Sequence, residues 1–307
     1  MNTARSVLLA GASGLLGRAL VSRLNAEGWE TRRLVRRPAA APGEFTWDPA
    51  SGEVPAAALA GVTAVINLAG ENIAAGRWTE ARRRLLRSSR IEPTRALARA
   101  ISRMARPPEV FACASAVGFY GDRGNLMLGE DAARGDGFLA ELTAEWEQAG
   151  AEVTAAGVRW AALRLGVVLS PEGGALARLL PIFRLGLGGR LASGRQWMSW
   201  ISREDAAAAF VHVLGTPDCR GPLNACAPGP VTNADFTRIL GFVLRRPVVF
   251  PVPAFALRLA FGRMAEETLL ASTRAIPRAL AATGFRFGQP GLEAALRQEL
   301  GRPRAGS

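Results

Sequence analysis

Seven residues near the start of the chain, Gly11-Ala12-Ser13-Gly14-Leu15-Leu16-Gly17, restrict the possible folds more than any other stretch. They follow the apolar run Ser6–Ala10, which reads as a strand. They open the segment Leu15–Glu27, where Leu16, Ala19, Leu20 and Leu24 recur at helical spacing. A G-x-x-G-x-x-G turn between a strand and a helix is the dinucleotide-binding arrangement. Glycines let the chain turn sharply and let the backbone approach a pyrophosphate. The helix N-terminus then presents N–H groups and the positive end of its dipole. Ser13 adds a hydroxyl donor. A glycine-rich turn with no ligand is the plain alternative, and the flanking strand and helix weigh against it.

The same alternation continues. Glu30–Val35, Ala64–Leu68, Val110–Ser115 and Trp160–Leu169 read as strands, while Phe138–Ala156 and Thr79–Met104 read as helices, the latter with a break expected near Pro93. Near-continuous apolar strands between helices predict an α/β, Rossmann-like, doubly wound parallel sheet covered on both faces. After Pro171 the texture changes. Gly173-Gly174, Gly186, Gly188-Gly189 and Gly194 mark loops. Glu204–Leu214 and Asn233–Leu244 then read as helices, Pro222–Ala225 as a strand, and Ala254–Leu300 as helical with breaks at Pro277 and Pro290.

The end of the second strand selects the cofactor. An NAD site places a carboxylate there for the ribose 2′-hydroxyl. This chain has Arg36 and Arg37 instead, where a 2′-phosphate would lie. Guanidinium forks bind phosphate bidentately, so the expectation is NADP(H). Asn67-Leu68-Ala69-Gly70 closes the next strand, and its small residues let the backbone pass close to a cofactor at the carboxyl edge of the sheet. Arg90 on the following helix either reaches a phosphate or lies on a solvated face. The expected organisation is an NADP-binding core over residues 1–170 and substrate-side loops with further strands and helices over 171–250. A smaller, mostly helical C-terminal substrate lobe follows over 251–300, then a disordered tail over 301–307.

Composition removes other chemistries. All 38 basic residues among the 307 are Arg, and the chain has a single His (His212) and a single Tyr (Tyr120). Without Lys there is no P-loop and no Schiff-base enzyme, and one His cannot form a two-His metal site. The net charge of +12 is spread along helical stretches with no basic–aromatic interleaving, so no nucleic-acid partner is expected. Three sparse cysteines fit a reducing, cytoplasmic setting, and no apolar run reaches the ~18 residues of a membrane span. The expected partner is a small-molecule substrate, with no membrane partner and the chain acting as a monomer or homodimer.

The glycine loop, the Asn67–Gly70 turn and Ser115 at a strand end resemble the extended branch of the short-chain dehydrogenase/reductase superfamily. The strings Asn67-Leu-Ala-Gly-Glu-Asn-Ile73, Ser115-Ala-Val-Gly-Phe-Tyr-Gly121, Leu185-Gly-Leu-Gly-Gly189, Ser193-Gly-Arg-Gln196 and Trp200-Ile201 resemble one atypical subfamily of it. Its members are the epimerase family proteins, which are NAD-dependent epimerase/dehydratase-like and carry an uncharacterised C-terminal domain. The resemblance spans about residues 5–300. It implies a Rossmann-like domain that binds NADP(H) at the glycine loop, Arg36, Leu68-Ala69, Arg90 and Val168. Typical superfamily members pair the Ser with Tyr-x-x-x-Lys on the next helix. The corresponding segment here is Phe138-Leu139-Ala140-Glu141-Leu142, so that dyad is absent.

The remaining candidates are few. Ser115 is placed to hydrogen-bond a substrate carbonyl and Tyr120 to give it a proton, unless Tyr120 only anchors its loop. Near its ordinary pKa of ~10, Tyr120 as a base at pH 7 costs about 4 kcal/mol, and as an acid carries no such cost. Arg123 beside it in sequence would lower that cost. The arithmetic favours carbonyl reduction, hence an NADP(H)-dependent oxidoreductase. The alternatives are an NADP(H)-binding sensor or scaffold without turnover, favoured by the missing Tyr-Lys pair, and a nucleotide-sugar epimerase or dehydratase, which rests on fold analogy. Glu71 is a weaker substrate-side candidate or a helix-start acid. Arg195 binds an anionic group or is a surface residue. Glu130-Asp131 lines the cleft or caps a turn. No metal site is expected.

Overall fold

A computed structural model describes residues 5–302. The part of the expected tail from residue 303 onward lies outside the described residues. Seven strands form one sheet: β1 (Ser6–Ala10), β2 (Glu30–Val35), β3 (Glu44–Thr46), β4 (Ala64–Asn67), β5 (Val110–Ala116), β6 (Arg159–Leu165) and β7 (Gly221–Ala225). Their order is β7-β6-β5-β4-β1-β2-β3 and every pairing is parallel. The fold is thus the expected Rossmann-like one. The order reverses direction between β1 and β4, which opens a crevice at their carboxyl ends.

Successive residues of β1 serve opposite faces. Val7 and Leu9 pack with Leu20, Leu24 and Phe210 from α1 (Leu15–Ala26) and the later helix Arg203–Gly215. Leu8 and Ala10 pack with Leu97 and Ile101 of α2 (Glu80–Ser102). This period-2 division between two buried faces explains why the strand has no polar alternation. α2 runs unbroken through Pro93, contrary to the expected break. Fully buried Leu86, Leu97 and Ile101 on either side anchor both halves, which offsets the one backbone bond that Pro93 cannot donate.

The expected strand Trp160–Leu169 is two strands. A Cβ on Gly166 would lie 2.9 Å from the Ser199 carbonyl carbon, so only glycine permits this approach. Beyond it, Val167–Leu169 leaves the main sheet and pairs in parallel with Trp200–Ser202. These residues enter the core of a second region, where Leu169, Trp200, Phe236 and Leu240 pack together. The first part of Phe138–Ala156 is α3 (Phe138–Ala151), and its last turn is a 3-10 helix. α4 (Gly174–Arg184), α5 (Arg203–Gly215) and α6 (Asn233–Leu244) follow. The C-terminal stretch is more broken than its sequence suggests. α7 (Ala254–Phe261) and α8 (Leu292–Glu299) are separated by a π-type turn, a short strand Arg274–Ala275 against Met127–Leu128, and the short helix Arg278–Ala282. Among the described residues no helix is long and apolar enough to cross a membrane, and no cluster of His, Cys, Asp or Glu could hold a metal.

Candidate functional site

The glycine loop lies at the β1–β4 crevice. Gly11 has φ +84°, and a Cβ there would fall 2.8 Å from the Leu68 carbonyl carbon. A Cβ on Gly17 would fall 2.2 Å from the Gly11 carbonyl oxygen. These two glycines therefore hold the loop against the Leu68-Ala69 backbone and the helix against the loop. Gly14 caps α1 without any side-chain hydrogen bond, and the first turn of α1 has no acidic residue. Ser13 and Gly14 are exposed, and Leu15 and Leu16 are half-buried. An uncapped helix start with its backbone open to solvent fits a pyrophosphate.

The two arginines after β2 part company. Arg37 forms a bidentate pair with Glu44, with both N···O distances 2.8 Å. Chiefly through this hydrogen bond, Arg37 holds the Glu44 carboxyl down to about 2. Arg37 is thus tied to the edge strand β3. Arg36 keeps 77% of its side chain in water, and its nearest carboxylate oxygen, on Glu71, is 3.7 Å away. Of the pair, Arg36 has the guanidinium that a phosphate can reach.

The Asn67–Gly70 turn is built from beneath. Asn67 Oδ1 accepts from the Ala69 N–H at 3.0 Å, and Asn67 Nδ2 donates to Thr94 Oγ1 at 2.7 Å. Thr94 also accepts from Trp146 Nε1 at 2.8 Å and donates to the Arg90 carbonyl at 2.6 Å. Arg90 is buried over the Trp146 ring and donates to the carbonyls of Glu71 (2.8 Å) and Leu86 (3.1 Å). Burial pushes its pKa down to about 10. Arg90 supports the turn from the protein side; it does not extend toward a phosphate. Glu71 faces both Arg36 and Arg82 at 3.7 Å. Val168 lies half-buried just past the Gly166 approach.

Ser115 and Tyr120 do come together, but inside the protein. Ser115 is 2% exposed and Tyr120 is fully buried. Ser115 donates to Glu147 Oε1 at 2.5 Å. Arg164 holds that carboxylate through Nε and Nη2, both at 2.8 Å. Arg164 Nη1 donates to the Tyr120 hydroxyl at 3.0 Å. The Tyr120 O–H has Asn224 Oδ1 (2.8 Å) and the Gly129 carbonyl (3.0 Å) as acceptors. Burial raises the Tyr120 pKa, against the lowering influence of Arg164 and Asn224. Arg123, expected to act on Tyr120, instead donates to the Ala133 carbonyl. Thus the protons of both candidate hydroxyls point at protein acceptors. Glu130 is a backbone anchor as well, since its Oε1 accepts from the N–H groups of Asn224 and Ala279. Arg195 is exposed, in the loop where Ser193 Oγ accepts its N–H.

Sequence reading missed Glu147, Arg164, Thr94 and Asn224. Arg164 left a trace, the single charge within the apolar run Trp160–Leu169, and such a charge requires a partner.

A seven-stranded parallel sheet with a glycine loop at its switch point, and a Ser at the end of β5, defines a nucleotide-cofactor protein of the short-chain dehydrogenase/reductase type. The profile of the NAD dependent epimerase/dehydratase family matches residues 7–225, and that of a domain of unknown function (DUF1731) matches residues 252–299. The chain belongs to the NAD dependent epimerase/dehydratase family, among its members called epimerase family proteins. Epimerase family protein Mb2239 of Mycobacterium bovis is 44% identical over 297 residues, covering 97% of this chain and 98% of that protein. Human epimerase family protein SDR39U1 is 38% identical over 295 residues, covering 95% and 98%. The crystal structure of human SDR39U1 isoform 2 with NADPH superposes with a TM-score of 0.87 at 36% identity, covering 95% of this chain and 98% of that one.

Proposed function

We propose that the protein binds NADP(H) and uses it to reduce a small carbonyl compound. Arg36 is the observation that carries the reading, because it is the exposed guanidinium at the end of β2 where an NAD site would have a carboxylate. The relative crystallised with NADPH supports the same cofactor. The N–H groups of the first turn of α1 hold the pyrophosphate, Arg36 the 2′-phosphate, and the Leu68-Ala69 backbone lines the crevice. A bound nicotinamide would supply the hydride, and solvent water in the crevice the proton that completes the alcohol. Glu147 and Arg164 replace the missing Tyr-Lys pair as the rigid wall behind β5, and Ser115 and Tyr120 act as positioning residues within that wall. Burial keeps the Tyr120 phenol protonated at neutral pH. The phenol is therefore not available as the base that oxidation of a hydroxyl needs, which favours reduction.

A second reading, cofactor binding without turnover, has its own support, since both candidate hydroxyls direct their protons inward. Calorimetry with NADPH and NADH on the parent and Arg36→Ala tests the cofactor assignment. Loss of a hydrogen bond to a charged group, about 1.5–3 kcal/mol, weakens NADPH roughly 10- to 100-fold and leaves NADH unchanged. Equal NADPH affinity in the variant, or no binding of either cofactor to the parent, overturns it. Steady NADPH consumption with any member of a carbonyl panel then decides between the two readings.

A further inference from the structure

Two segments of the chain contain no acidic residue: the stretch between Glu172 and Glu204, and the stretch between Asp235 and Glu266. They lie side by side. Val252 N–H donates to the Arg190 carbonyl at 2.9 Å, and Ala192 N–H to the Val252 carbonyl at 2.8 Å. Arg246 Nε donates to the Arg184 carbonyl at 2.8 Å. A Cβ on Gly189 would fall 1.8 Å from the Phe250 carbonyl oxygen, so the two backbones are in direct contact.

The two joined segments expose Leu185, Leu187, Val249 and Phe250 and, on α7 further along the second, Phe255 and Leu259, each between 53% and 75%. Side chains this exposed protrude from the surface, whereas those lining a groove are partly covered. Among the described residues, exposed Arg184, Arg190, Arg245 and Arg246 form no ion pair with a carboxylate. An apolar patch of this kind marks an interaction surface. A second copy of the chain meeting it face to face would bring arginine against arginine. An anionic surface with an apolar interior matches both features, because phosphates take the arginines and acyl chains take the protruding Leu, Val and Phe side chains.

We propose that this face docks on the surface of an anionic lipid bilayer, without crossing it. The test is co-sedimentation of the full chain with vesicles of phosphatidylcholine alone and of phosphatidylcholine with phosphatidylglycerol. Binding is expected only to the second and is reversed by high salt. A basic residue near such a surface contributes about fivefold, so Arg184→Glu with Arg245→Glu weakens binding at least ~20-fold. Phe255→Ser with Leu259→Ser weakens it at least ~10-fold. All four positions are exposed, and unchanged circular dichroism and NADPH affinity show that the variants remain folded. Absence of binding to phosphatidylglycerol vesicles overturns the proposal, as does equal binding to both vesicle types. So does a concentration-dependent dimer that Phe255→Ser with Leu259→Ser abolishes, which would assign the face to a second copy.

Discussion

Replacing Glu147 by Ala strands the Arg164 guanidinium in the interior. The Arg164 side chain is 3% exposed and that of Glu147 is 8% exposed. Two of the three guanidinium nitrogens lose their acceptor, Ser115 loses the acceptor for its hydroxyl, and Nη1 alone keeps partners, the Tyr120 oxygen and the Glu130 carbonyl. Removing one member of a buried pair costs about 3–5 kcal/mol, because the surviving charge is left without compensation. With an unfolding entropy of about 2.1 cal/mol/K per residue, this chain changes by roughly 0.6 kcal/mol per degree, so Tm falls by about 5–8 °C. Differential scanning calorimetry reads this directly. Glu147→Met combined with Arg164→Met removes both charges and recovers at least half of the loss, since apolar replacement of a whole pair is far milder than breaking it. A melting temperature for Glu147→Ala within about 1 °C of the parent would refute the reasoning.

Gly17→Ala places a methyl 2.2 Å from a backbone oxygen that no rotamer change can move; NADPH affinity falls more than ~10-fold and stability drops by about 1–3 kcal/mol, read by calorimetry and urea unfolding. Tyr120→Phe leaves Arg164 Nη1 with the Glu130 carbonyl alone and Asn224 Oδ1 without its donor, and costs about 1–3 kcal/mol, with NADPH affinity unchanged. Glu44 titrates near 2 in the folded chain against 4.5 normally, so its bond with Arg37 stabilises fully above pH ~4.5 and is lost as the pH falls through 2. Arg37→Ala therefore melts below the parent at about pH 6, and the two converge at about pH 2.

The sheet was legible because its signals are local. β1, the glycine loop and α1 announce themselves within some twenty residues, and the Asn67–Gly70 turn is spelled out by an Asn whose amide holds its own loop. The strand break at Gly166 was not legible, since the reason for that glycine is the backbone of Ser199, distant in sequence. β3 was missed because a three-residue edge strand has almost no pattern. Ser115 and Tyr120 were found by position at the end of β5, but their direction was hidden. What turns them inward is Glu147 on one helix, Arg164 on another strand and Asn224 on a third element. Arg36 and Arg37 looked equivalent until Glu44, on the unread strand, separated them.

The strand order also sets a timetable for the growing chain. Of the seven strands of the sheet, β1 is made first, and it lies inside the sheet with both faces buried. Its first neighbour arrives early, as Ser6 meets Glu30, but the other side waits for Val7 to meet Ala64. β4 in turn waits for Val65 to meet Phe111. Each pairing closes a loop before it gains hydrogen bonds, so assembly from the ribosome is stepwise and slow. Until β4 emerges, Val7, Leu8 and Leu9 form an unpaired apolar edge on the nascent chain, the kind of segment that chaperones bind.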